Sequence, residues 1–307
     1  ARVSECVFLR EKLGRKPGLL VLGGFLKQEA ETIAEMGFEP SVFSLDEAKA
    51  LNKASLKAGK KTGVHVKINT GMNRLGIRPG DAGEFIRAIR SMEGLELKGV
   101  YTHFYNSDSC DHGEDDTRRQ TEMLAAIKHA AGPGVVFHAA NSAAVLKYPF
   151  SHFDAVRPGI MIYGSYLDGK IRKKSGLRPV MTLKSRVMHS AFIKKGETVS
   201  YGATYRAKKD GYIAVVGIGY ADGFSRHLSG KWHVLIGGEK APVLGRVCMD
   251  MIVTGTRKKV PVGSETLVLG SDRSGSIAVE DMAEAAGTIS YEIFTGISER
   301  VERVYKY

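Results

Sequence analysis

The stretch KTGVHVKINTGMNRLGIRPGDAGEFIRAIRSMEGLELKGVYTHF, residues 61–104, decides the fold class of this chain. It opens with an apolar run, Gly63–Ile68, and passes through a polar, glycine-containing turn. It continues as an amphipathic helix over Ala82–Met92 and closes with a second apolar run, Leu97–His103. A strand, a helix and a strand in that order pair in parallel, because the helix carries the chain back over the sheet. Strands that are apolar throughout, rather than alternating, are covered on both faces.

The same grammar extends outward in both directions, from residue 17 to about residue 164. Further strands are read at Leu19–Leu22, Ser41–Ser44, Val135–Ala139 and Phe153–Val156, and further helices at Leu26–Met36, Leu45–Ala58 and Thr117–His129. Six strand–helix units result, whereas a closed barrel needs eight. The chain also opens inside an amphipathic helix, Arg2–Leu13, with no Met and no strand ahead of it. Two more units of ~30 residues each would complete the ring. The pattern therefore predicts a (β/α)8 TIM-type barrel whose N-terminal units are missing from these residues. Past Arg178-Pro179 the pattern changes to short alternating runs between glycine turns, such as SRVMHSAFI, GYIAVVGIGY, WHVLIGG and ETLVLG, with one helix at Val279–Ala286. The expected domains are a partial barrel, residues 1–178, and a mainly β domain, residues 179–307.

Composition narrows the class. With 307 residues, 43% hydrophobic and 25% charged, the chain has the make-up of an ordinary globular protein. No apolar run reaches the ~18 residues of a membrane span, and the N-terminus lacks a signal-peptide layout. Three scattered cysteines without a CxxC indicate neither a disulfide framework nor a zinc site, so a cytoplasmic setting is expected. The net charge of +12 raises the question of nucleic acid. However, its clusters at Lys57–Lys61, Lys170–Lys174 and Arg257–Lys259 are dispersed, lie in expected loops and carry no interleaved aromatics for stacking bases. Nucleic-acid and membrane partners are not expected.

In a barrel the chemistry sits just past the carboxyl ends of the strands. Those positions hold Lys67 with Asn69 and Arg74, then His103, then His138 with Asn141 and Ser142, and finally Arg157, Gly159 and Ile160. This set is basic and polar, with no paired carboxylates and no metal-ligand spacing. It suits an anion. Asn141 and Ser142 can open a helix as polar caps, and Gly159 permits close backbone approach, which together suit a phosphate.

Seven segments, in order, resemble the alanine racemase family: HVKINTGMNRLGI (65–77), YTHF (101–104), HAANSAA (138–144), VRPGIMIYG (156–164), VSYGATYRA (199–207), GYADGFSR (219–226) and GRVCMD (245–250). The resemblance runs from about residue 19 to near the C-terminus. It implies a pyridoxal 5′-phosphate enzyme interconverting L- and D-alanine by two-base proton transfer, which supplies D-alanine for cell-wall peptidoglycan. It also implies a homodimer whose active sites combine the barrel of one subunit with the β-rich domain of the other. By motif position, Asn141, Ser142, Gly159 and Ile160 would hold the cofactor phosphate, and Arg157, supported by His138, would face the pyridine nitrogen. A guanidinium cannot accept a proton and disfavours a second positive charge nearby. Tyr201 would be one catalytic base, contributed across subunits, with His103 as its hydrogen-bond partner. Arg74 would contact the cofactor oxygen and the substrate carboxylate. Met249 would offer that carboxylate a backbone N–H, with Tyr220 and Asp250 shaping the entrance. Lys67 matches the lysine that is often carbamylated in the family.

Two departures stand out. The family's other base, the Schiff-base lysine, lies in a first-strand segment of the form VKANAYGHG, which this sequence lacks; these residues alone are therefore expected to be inactive. Near the C-terminus, GISERVERVY places Glu299 where the family often has a tyrosine. The alternatives are a racemase of broader specificity, a related amino-acid decarboxylase using Cys248, or a non-catalytic cofactor-binding remnant.

Overall fold

The computed structural model describes residues 1–14, 17–166 and 176–306. The chain forms two compact units, Ala1–Gly159 and Ile160–Tyr307. Among the described residues, no helix is long and apolar enough to cross a membrane.

The first unit begins with α1 (Val3–Leu13) and then alternates strands and helices. The order is β1 (Leu20–Val21), α2 (Ala30–Met36), β2 (Glu39–Val42), α3 (Leu45–Lys57), β3 (Thr62–Lys67), α4 (Ala82–Arg90), β4 (Leu95–Tyr101), α5 (Gly113–Ala125), α6 (Lys128–Ala131), β5 (Val136–His138) and α7 (Ser142–Lys147). The five strands form one parallel sheet in chain order, β1 to β5. In β3 only Gly63 is not fully buried, as expected when helices cover one face and core side chains the other. Helix α4 shows why these segments are helical: it buries Ala82, Phe85, Ile86 and Ile89, a single stripe at i, i+3, i+4 and i+7. Its last turn carries Arg87 and Arg90, which favour the negative end of the helix dipole.

Two expected elements differ. Helix α5 starts at Gly113, four residues before the expected Thr117, because Glu114, Asp115 and Asp116 favour a helix N-terminus. The expected sixth strand, Phe153–Val156, is reduced to a single bridge between His138 and Ala155. Phe153 adopts φ = 51°, which interrupts any extended run. The segment still follows the sheet edge, since Asp154 N–H donates to Phe137 O at 3.0 Å and Arg157 N–H to Ala140 O at 2.9 Å.

The second unit is built on a sheet of β6 (Leu183–Ile193), β9 (Gly211–Val216), β10 (His233–Ile236), β11 (Glu239–Pro242), β12 (Ile252–Thr256), β13 (Glu265–Asp272) and β14 (Gly275–Ile277). Their order is β11-β10-β13-β6-β9-β12, with β14 pairing β13. A small hairpin joins β7 (Thr198–Val199) to β8 (Tyr205–Arg206), and the expected helix Val279–Ala286 is present. Each unit has its own core. One gathers apolar residues between Val3 and Tyr148, the other between Leu183 and Ile297. Of the basic clusters, Lys170–Lys174 lies outside the described residues. Lys57 ends α3 and pairs with Glu31 at 2.7 Å, and Arg257–Lys259 follows β12.

Candidate active site

Parallel register brings the strand ends of the first unit into a row. Lys67 pairs with Tyr101, Tyr101 with His138, and His138 with Ala155, two residues before Arg157. Tyr101 is the fixed centre of this row. Its ring stacks on His138 at 4.7 Å with 7° between planes, and its hydroxyl meets Ser41 Oγ at 2.7 Å. The Lys67 Nζ lies 5.4 Å and the Arg157 Cζ 5.0 Å from the ring centre, so one aromatic ring lies within cation–π range of both.

Arg157 is anchored by three bonds. Nη1 donates to His138 Nδ1 at 2.8 Å, and Nη2 donates to Thr102 O at 2.7 Å and Ala139 O at 3.0 Å. A guanidinium has five N–H donors. Two therefore remain for a further acceptor.

Every charge in this row has the same sign. Burial, then Arg74 and Arg157, lower Lys67 to about 8. Burial, then Arg157, Arg74 and Lys67, lower His103 to about 4. His138 falls to about 3 through burial, then Arg157 and His65, and Arg157 falls to about 10 through burial. No carboxylate forms an ion pair with Lys67, Arg74 or Arg157 among the described residues. Such a site lowers its own energy by taking an anion.

Arg74 is carried by a loop that closes on β3. Asn69 N–H donates to Ile77 O at 2.7 Å, Ile77 N–H to Lys67 O at 3.0 Å, and the Asn69 side chain accepts from Asn73 N–H at 2.9 Å. Gly76, at φ = 118°, sits where a Cβ would come within 2.8 Å of Asn69 N. The loop that carries the exposed Arg74 is thus held at the strand end by its backbone hydrogen bonds.

Past β5, Asn141 caps α7, its side chain accepting from Ala144 N–H at 3.1 Å and from Ser107 Oγ at 2.9 Å. The Ser142 hydroxyl accepts from Gly159 N–H at 2.8 Å, which draws the 157–159 segment over the start of α7. Asn141, Ser142 and Gly159 thus come together as expected. Ile160 follows in the chain and opens the turn Ile160–Tyr163.

The second unit gathers the other expected residues. Tyr201 is 71% exposed on a turn whose backbone is left-handed at Ser200, Gly202 and Ala203. Ser200 Oγ donates to Arg246 O at 2.6 Å, tying this turn to the 245–250 loop. Tyr220 N–H donates to Cys248 O and Ala221 N–H to Met249 O, both at 3.0 Å. Gly219 makes this possible: a Cβ there would lie 2.2 Å from Met249 O. Tyr220 and Met249 are largely exposed, and Asp250 pairs with Arg300 at 2.8 Å. Glu299, beside Arg300, is exposed. A cleft of about 1010 Å³ in this unit, lined by residues such as Tyr205, Lys240 and Arg257, contains none of these positions.

Sequence reading missed Tyr101, Thr102 and His65. One signal was available: in a strand, residues two apart share a face, which places His65 with Lys67 and Gly99 with Tyr101.

Comparison with known proteins settles the family. Residues 1–167 match the family model of the alanine racemase N-terminal domain, and residues 180–305 match that of the alanine racemase C-terminal domain. The chain belongs to the alanine racemase family. The alanine racemase of Desulfosudis oleivorans is 39% identical over 319 aligned residues, covering 99% of this chain and 82% of that protein. A solved alanine racemase from Clostridium difficile superposes with a TM-score of 0.89 at 34% identity, covering 100% of this chain and 80% of that one. A Bacillus anthracis alanine racemase solved with bound L-Ala-P gives 0.87 at 34% identity, covering 98% and 78%. Alanine racemases are pyridoxal-phosphate-dependent isomerases with a barrel-like N-terminal domain and a mainly β C-terminal domain.

Proposed function

We propose that this chain carries the chemistry of an alanine racemase, interconverting L- and D-alanine in the cytoplasm as a homodimer with shared active sites, on domains 1–178 and 179–307. The observation that supports it most is the row Lys67–Tyr101–His138–Arg157, a cationic, carboxylate-free edge of a parallel sheet in a member of this family. The donor set fits pyridoxal 5′-phosphate, which presents a phosphate, a phenolate oxygen and a ring nitrogen that all accept.

In this reading Asn141, Ser142, Gly159 and Ile160 hold the phosphate. Arg157, kept in place by His138, would offer its remaining N–H donors to the ring nitrogen and would not surrender a proton to it. When bound, the cofactor delocalises the electron pair left on the substrate Cα. Arg74 and the Met249 N–H orient the substrate carboxylate, and Tyr220 and Asp250 shape its approach. The Tyr201 phenol takes or returns the Cα proton on one face, and the uncharged His103 ring is its proton partner. Lys67, partly neutral near pH 7 through its lowered pKa, is the group that carbon dioxide would convert to a carbamate. That anion would neutralise the pocket and orient Arg74.

The second base is a lysine in the family. The described strands β1–β5 carry Lys67 and Lys98, and neither lies in a segment of the form VKANAYGHG. The reading therefore includes the expectation that these 307 residues, assayed alone, racemise at no appreciable rate. The test is to supply a lysine-bearing strand–helix segment with pyridoxal 5′-phosphate and measure D-alanine formed from L-alanine. L-Serine and L-lysine run in parallel test for wider specificity. D-alanine formation is expected. A folded dimer with bound cofactor and no turnover refutes the reading.

A further inference from the structure

A hydrogen-bonded chain runs through the sheet to Arg157. Glu39, the first residue of β2, has its Oε2 3.2 Å from His65 Nε2. The Nδ1 of His65 is 2.9 Å from His138 Nε2, and the Nδ1 of His138 is 2.8 Å from Arg157 Nη1. Both rings are buried, whereas the Glu39 side chain keeps 37% of its surface exposed. The chain crosses β2, β3 and β5, passing over β4 at Gly99, the residue in register with both His65 and Val136. A Cβ at Gly99 would sit 2.2 Å from His65 Nδ1, so β4 leaves a side-chain gap that the imidazole fills.

The protons in this chain have one consistent arrangement. Arginine only donates, so His138 Nδ1 must accept and its proton must sit on Nε2. That Nε2–H donates to His65, whose Nδ1 must then accept and whose proton must sit on Nε2. The His65 Nε2–H donates to Glu39, an acceptor-only carboxylate. The two ends, a pure donor and a pure acceptor, impose the same direction. The His65 bond also keeps the Glu39 carboxyl below the usual range, opposed by burial and assisted by Lys98.

We propose that Glu39 and His65 are positioning residues that lock His138 in its Nε2–H tautomer and thereby fix the direction in which Arg157 presents its remaining donors. Neither touches substrate or cofactor. They act through His138, as a carboxylate orients a histidine in metal and hydrolase sites. The value of this for catalysis rests on the proposed racemase reading; the proton arrangement does not.

The experiment is therefore made first on the full 307-residue chain without cofactor, by long-range 1H–15N correlation of the imidazoles at neutral pH. His65→Gln and His138→Gln assign the peaks. Both rings are expected to show an unprotonated Nδ1 and a protonated Nε2. Glu39→Gln, which still offers a carbonyl acceptor, is expected to keep both patterns. Glu39→Ala removes the acceptor that favours this direction at the far end, and is expected to let both rings exchange together with the reversed arrangement, in which His138 Nδ1 is protonated and its bond to Arg157 is lost. In protein made competent for racemisation, Glu39→Ala should lower kcat roughly tenfold with KM little changed, and Glu39→Gln should restore it. A protonated Nδ1 on His138 in the parent, or parental imidazole spectra and kcat in Glu39→Ala, overturns the proposal. Expected tautomers in a protein without turnover would instead sink the racemase reading and leave this one standing.

Discussion

Replacing Lys67 by Met tests the electrostatic account of the site most directly. Methionine has similar length and removes the charge without opening a cavity. Lys67 is 5% exposed, and its pKa falls from 10.5 to about 8. That lowering corresponds to about 3 kcal/mol by which the fold disfavours the charged amine. The sign follows from linkage. Because the folded pKa lies below the unfolded one, the penalty is complete below about pH 8 and fades as the pH rises toward 10.5. In carbon-dioxide-free buffer at pH 7, Lys67→Met should therefore raise the unfolding free energy by up to about 3 kcal/mol. Its advantage over the parent should shrink as the pH approaches 10.5. Urea unfolding followed by circular dichroism measures both. Bicarbonate should stabilise the parent and not the variant, with a mass gain of one carbon dioxide on the parent under native conditions. A variant less stable than the parent at pH 7 without bicarbonate, or a difference that ignores pH, would refute the reasoning.

Three further outcomes follow from the same geometry. Tyr201→Phe, at an exposed position, should leave thermal unfolding unchanged while lowering kcat for D-alanine formation by about 10²- to 10⁴-fold in the competent enzyme. Arg157→Lys cannot make the three anchoring bonds at once; each buried carbonyl left unpaired, at Thr102 or Ala139, should cost about 1–3 kcal/mol, read from urea midpoints. The pKa values of His103 and His138, lowered to about 4 and about 3, should give stability present above the unfolded value of 6.5 and lost as the pH falls from there. Acid unfolding of the His138→Gln variant, compared with the parent between pH 6.5 and 3, reports the His138 share.

Much of the site was legible because barrel chemistry sits at one predictable place in a linear pattern. Lys67, His103, His138 and Arg157 could each be read as the polar residue that follows an apolar run. What could not be read was register. His65 and Glu39 are 26 residues apart, and His65 and His138 are 73 apart. Only the pairing of Ser41 with His65 and of Gly99 with both His65 and Val136 brings them into one line. Alternation places His65 on the face of Lys67, but it does not say which side chain on β5 it meets. The lost strand at Phe153–Val156 has a different cause: its residues are apolar enough, yet a single positive φ at Phe153 ends the extended run. The early start of α5 reflects charge at a helix end, which apolar periodicity does not see.

The overall charge of +12 was the first pointer to an anion and a poor guide to which one. Surface lysines such as Lys57 are solvated and paired, and contribute little to either stability or recognition. The informative groups are few and buried or half-buried: Lys67, His103, His138 and Arg157 are all shifted in the direction that disfavours a cation, with burial the leading cause in each, and the two histidines are neutral at pH 7. A fold that keeps the Lys67 and Arg157 cations together beside two neutral imidazoles, without a carboxylate among them, gives up stability at neutral pH. A bound phosphate, carboxylate or carbamate recovers it, so ligand affinity draws on energy already stored in the sheet. Glu39 is the exception that supports the rule. It lies on the far side of two imidazoles, close enough to order their protons and too far to neutralise the cations that must remain available to the ligand.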